Sequence, residues 1–105
     1  MSYDFSMKKM VTQEVEIEEL NYTYNISPMF RLALGENGIH ELEDVSHDVA
    51  LDLLDIAIRD MEENPEDYKA LNPTNGWGDA EGAKMCLVTI REWFRKHPDC
   101  TFVIE

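Results

Sequence analysis

The apolar residues of the chain follow two different rhythms, and each predicts a different element. From Val15 to Tyr24 they alternate with polar ones, first as Val15 and Ile17, then as Leu20, Tyr22 and Tyr24. A period of two lines one face of a β-strand, and the change of parity around Glu18 and Glu19 predicts a bulge there. From His47 to Glu63 the rhythm changes: Ala50, Leu53, Leu54, Ala57, Ile58 and Met61 recur at the three- and four-residue spacing that lines one face of a helix. Ala83, Cys86, Leu87, Ile90, Phe94 and His97 repeat it until Pro98, which cannot continue a helix. Thr101 to Ile104 then reads as a short terminal strand.

Turn and cap residues divide these segments. In Asn25-Ile26-Ser27-Pro28, Ser27 is placed to accept a backbone N–H, and Pro28 stands at the first helical position, where a missing donor costs nothing. The helix so opened carries Met29, Phe30, Ala33 and Leu34 and stops near Gly35. Ile39 to Val45 holds a short helical turn, and Ser46 caps the long helix that Asn64-Pro65 ends. Residues 65–71 form one or two turns, residues 72–78 a loop of turn formers, and Asp79 caps the last helix. Met1 to Thr12, at the start of the chain and with Met7 and Met10 each able to start translation, reads as a flexible extension. The expectation is a single α+β domain over residues 13–105, ordered β-α-α-α-β. It has a helical layer of three main helices and a small sheet formed by an N-terminal and a C-terminal strand.

Composition narrows the classes. At 105 residues and 44% hydrophobic, the chain has room for one modest core. Its 9 basic and 22 acidic residues give a net charge of -13, which repels nucleic acid and anionic lipid and favours basic partners. Direct nucleic-acid binding through phosphates is excluded on this ground. No window approaches the roughly 18 apolar residues of a membrane span, and the first nine residues lack the apolar run of a secretory signal. The glycosylation patterns at Asn21 and Asn25 are therefore chance matches. Cys86 and Cys100 have neither a CxxC nor a zinc-type spacing, so reduced thiols in a cytoplasm are expected, with no metal and no cofactor. Neither a G-x-S-x-G nor a phosphate-binding glycine loop is present, and the chain is not expected to be an enzyme.

Two features carry candidate chemistry. The first is acidic: residues 36–67 hold twelve carboxylates against Arg59 alone. Asp48, Asp52, Asp55 and Glu62 share the outer face of the long helix, where carboxylates four residues apart stand about 6 Å apart along the axis. With Asp44 and Glu63 they form either a plain solvated face or the footprint of a basic, nucleic-acid-binding partner, a row imitating a phosphate backbone. His40, His47, Glu43, Asp44 and Asp48 lie close in sequence but lack the spacing of a helical zinc site or a calcium loop. The second feature is the loop Asn72-Pro73-Thr74-Asn75-Gly76-Trp77-Gly78. Trp77 either plugs the core, with the asparagines satisfying turn backbones, or forms a pocket wall with Tyr24, Asn25, Asn72, Asn75 and Gly78. In the pocket reading, the N–H groups of the following helix face a phosphate or another anion. Exposed strand edges leave pairing across a homodimer open, and Glu14, Glu16 and Glu18 are charges that discourage it.

Asn21-Tyr22-Thr23-Tyr24-Asn25-Ile26-Ser27-Pro28-Met29-Phe30, with Leu71-Asn72-Pro73-Thr74-Asn75-Gly76-Trp77-Gly78-Asp79-Ala80-Glu81-Gly82-Ala83, resembles a family of small phage and prophage proteins. That family pairs a TYNxSPMF segment with an LNPxNGWGxxEGA segment, and the resemblance spans roughly Glu19 to Glu105. It implies a bacterial host cytoplasm and an accessory phage role, with no established activity. By type and size the chain is similar to inhibitors of host defence, including anti-CRISPR proteins. The leading expectation is therefore an acidic inhibitor whose partner is a basic defence protein such as Cas9 or another Cas nuclease. The alternative is a binder or sponge for a nucleotide signal, using the Asn/Trp loop.

Overall fold

A computed structural model describes residues 2–10 and 14–105, and shows an α+β architecture of three main helices and a three-stranded antiparallel sheet. The elements are β1 (Ser2–Met10), β2 (Glu14–Thr23), α1 (Ser27–Leu34), α2 (His47–Glu63), the short α3 (Pro65–Lys69), α4 (Ala80–Lys96) and β3 (Thr101–Ile104). Single 3-10 turns lie at Tyr24–Ile26 and Gly38–Leu42. No helix among the described residues is long and apolar enough to cross a membrane.

The sheet order is β2-β1-β3, so the central strand is the segment expected to be a flexible extension. Residues 1, 11 and 12 of that expected extension lie outside the described residues. The rest is structural for a simple reason: Tyr3, Phe5 and Met7 alternate with Ser2, Asp4, Ser6 and Lys8, and all three apolar side chains are buried. Phe5 pairs with Leu20 of β2 and Ile104 of β3, and its ring lies 6.1 Å from Phe102 and 6.3 Å from Phe30. The two terminal strands do pair with each other, but the N-terminal partner of β3 is β1 rather than β2, and the order is β-β-α-α-α-α-β with α3 included.

The predicted parity change on β2 is a bulge. Met7 faces Glu18 while Lys8 faces Glu16, leaving Ile17 as the extra residue, one position before the expected pair. The shift turns Leu20 and Tyr22 toward the helices, and with them Glu18, which pairs with His97 at 2.9 Å. His47 Nε2 lies 3.1 Å from the His97 carbonyl, so α2, the end of α4 and β2 meet there.

The helices follow their sequence signals closely. Ser46 Oγ accepts from the Val49 N–H at 3.2 Å and starts α2, while Asp79 Oδ1 accepts from the Gly82 N–H at 2.7 Å and starts α4. Ala50, Leu54, Ala57, Ile58 and Met61 face Ala83, Cys86, Leu87, Ile90 and Phe94 in one core, with Trp93 also buried. Ser27 departs from expectation. It lies inside α1, makes no cap, and accepts a long 3.4 Å hydrogen bond from Arg31 Nη1.

Candidate functional site

The two motif segments, far apart in sequence, pack directly on one another. Gly78 has φ +90°, a conformation that favours glycine. A Cβ there would stand 2.5 Å from Thr23 Cγ2 and 2.9 Å from Ile26 Cγ2. Gly82, in the first turn of α4, lies under the Tyr22 ring, and a Cβ at that position would overlap the Tyr22 hydroxyl. The same hydroxyl accepts from the Asp79 N–H at 3.4 Å, and burial raises the Tyr22 phenol above its ordinary pKa. Two glycines thus let the loop and the start of α4 close against the end of β2.

Between them lies an open cleft of about 700 Å³, within the range of small-molecule sites. Asn21, Thr23 and Asn25 form one side, and Asn75, Gly76 and Trp77 the other. Trp77 is 66% exposed, so it does not plug the core. The Asn75 side chain accepts from the Trp77 N–H at 2.9 Å, an Asx turn that fixes the backbone beneath the indole. No ionised side chain lines the cleft, and its hydroxyls come from Ser2, Tyr22 and Thr23.

Of the residues expected to bind a ligand, Asn25, Asn75, Trp77 and Gly78 line this cleft together. Asn72 does not: its Oδ1 accepts from the Ala80 N–H at 2.9 Å, closing the start of α4. The Tyr24 side chain lies outside the described residues. Asn21, Tyr22, Thr23, Gly76 and Ser2 were not anticipated. The parity of β2 places Asn21 and Thr23 on the face opposite Leu20, and Ser2 is reachable only once the first residues are read as a strand.

Most N–H groups of the anion site expected at the start of α4 already have partners. The Asp79 N–H donates to Tyr22, Ala80 to Asn72, Gly82 to the Asp79 carboxylate and Ala83 to the Asp79 carbonyl. The last of these is the helix's own first bond. Of the four N–H groups that a helix start leaves free, those of Asp79, Ala80 and Gly82 are occupied and that of Glu81 has no partner among the described residues, while Asp79 and Glu81 add negative charge where a phosphate would sit.

The acidic candidates divide as well. Asp44, Asp48, Asp52, Glu62 and Glu63 are exposed. Asp55 is not part of an open row. It faces α4, where Arg91 Nη1 stands 3.1 Å and Arg95 Nη2 3.6 Å from its Oδ1. Asp60 accepts a short hydrogen bond from the buried Tyr68 hydroxyl, and it too is structural. Among the described residues no group of three His, Cys, Asp or Glu is gathered to hold a metal; His40 pairs with Glu43.

Against protein-family models, curated proteins and solved structures, the chain has no match.

Proposed function

We propose that this protein is a binding module that captures a small polar molecule in the Asn/Trp cleft. In the phage setting that the motif resemblance implies, it would sequester a signal of the host. The observation that carries the reading is the assembly of both motif segments into one cleft, with an exposed indole held by an Asx turn. An indole two-thirds exposed on a backbone fixed at the edge of a cleft offers a ready stacking surface to a flat ligand. The uncharged lining favours binding over acid–base or nucleophilic chemistry.

The test is native mass spectrometry of gently purified protein, followed by fluorescence titration with a metabolite panel. Trp93 is buried and gives a steady background, so a ligand-dependent change reports Trp77. Bound small-molecule mass that disappears in Trp77→Ala supports the reading. Mass retained in that variant, or no ligand in either experiment, removes it.

A second reading keeps the acidic inhibitor of a basic Cas or other defence nuclease. Asp48 and Asp52 on α2 are exposed and make no ion pair among the described residues, so their field reaches solvent. Asp48→Lys with Asp52→Lys should abolish inhibition of a reconstituted nuclease, and inhibition that survives the reversal defeats this version.

A further inference from the structure

We infer that the cleft recognises an uncharged nucleobase and makes no phosphate contact, an inference that rests on the cleft being a ligand site. It follows from which hydrogen-bonding groups of the lining amides are already used. The two hydrogens of Asn21 Nδ2 are shared among Asp4 Oδ1 at 2.6 Å, the Tyr3 carbonyl at 3.1 Å and Ser2 Oγ at 3.2 Å. The Asn21 Oδ1 has no partner among the described residues. Asn25 Nδ2 donates to Thr23 Oγ1 at 3.1 Å, and its Oδ1 is likewise unpartnered among them. Asn75 is the reverse: its Oδ1 is held by the Trp77 N–H, and its Nδ2 has no partner there.

The strand side of the cleft therefore presents two amide acceptors together with the Ser2, Tyr22 and Thr23 hydroxyls, the loop side presents an amide donor, and the Trp77 indole lies beside them. A nucleobase carries donors and acceptors at fixed positions on a flat ring. It matches that division while stacking on Trp77. A carboxylate or phosphate would meet the two strand-side amide acceptors without a cation to offset them, and three of the four N–H groups that the α4 start leaves free are already engaged beside the Asp79 and Glu81 carboxylates. The phosphate of a nucleotide would have to point to solvent, in the field of a chain with a net charge of -13.

The experiment is a titration of the full chain with the four common ribonucleosides, their 5′-monophosphates and methyl glucoside, read by tryptophan fluorescence and calorimetry. At least one nucleoside should bind, and its monophosphate no tighter. Trp77→Ala should weaken that nucleoside by about 5- to 150-fold, the range of one base–aromatic stack. Asn75→Asp keeps the acceptor that holds the Trp77 N–H and removes the two donors, so it should weaken the nucleoside at least about tenfold with an unchanged circular dichroism spectrum. A monophosphate bound tenfold tighter than its nucleoside overturns the inference. So does binding of methyl glucoside alone, or a carried ligand of another class with no nucleoside bound, and either of these leaves the cleft a binding site. Absence of any ligand by titration and by native mass spectrometry overturns both.

Discussion

Gly82→Ala offers the sharpest check on how the cleft is built, because two effects of opposite sign meet at one atom. In a helix the substitution should stabilise by about 1 kcal/mol, since alanine loses less backbone freedom than glycine. Here the new methyl would overlap the Tyr22 hydroxyl and crowd its ring. Tyr22 cannot swing away without breaking its bond to the Asp79 N–H and leaving its place against the core. Overpacking of this kind typically costs about 1–3 kcal/mol. The clash offsets or outweighs the propensity gain, and the single variant should be destabilised by up to roughly 2 kcal/mol. In a Tyr22→Ala background the obstacle is gone, and the same change should become stabilising by up to about 1 kcal/mol. Urea denaturation of the four proteins, followed by circular dichroism, gives the coupling directly. A Gly82→Ala protein more stable than the parent, or a coupling below about 0.5 kcal/mol, would refute the packing of Tyr22 on α4.

Three other outcomes follow from the same structure. Phe5→Ala should cost about 3–5 kcal/mol in urea denaturation, whereas a flexible N-terminal extension would show almost nothing. Asp55→Asn should destabilise by up to about 1 kcal/mol at low salt and less at high salt, while Asp52→Asn stays within about 0.5 kcal/mol; equal effects would mean that Asp55 does not hold α4. Burial pushes the Cys86 thiol up to about 12 from 9.0 and raises Cys100 as well, so an unfolded chain ionises both at lower pH than the folded one. Folding stability should therefore be level in this respect below pH 9 and fall as pH rises from 9 toward 12, and a stability curve flat across that window would contradict the burial of Cys86.

The helices were legible because each signal is local. Ser46 and Asp79 cap where their positions say, and the α2 and α4 faces follow from spacing alone. The central strand was legible in principle too, since Tyr3, Phe5 and Met7 alternate cleanly. The position at the start of the chain outweighed that short pattern, although the structure ties Lys8 to Glu105 and Lys9 to Asp99. Asp55 is a different case. Helical spacing gives its angle on α2 but not what packs against that flank, and only the docking of α4 brings Arg91 and Arg95 to it. The same holds for the start of α4: a sequence shows that four N–H groups need partners, not that Tyr22 and Asn72 supply two of them.

That last point changes how the charge of the chain bears on its function. A net charge of -13 and a cleft without ionised groups make opposite demands on the two proposed readings. A basic nuclease docking on Asp48 and Asp52 gains its association rate from the long-range field, so its binding should weaken steeply as the Debye length falls from about 10 Å at 0.1 M salt to about 3 Å at 1 M. An uncharged base stacking on Trp77 gains nothing from that field, and its affinity should hold nearly constant over the same range. For a nucleotide the effect would reverse, because salt screens the repulsion between its phosphate and the protein and tightens binding. One salt series thus gives three slopes of different sign or size, and each belongs to a different chemistry on this surface.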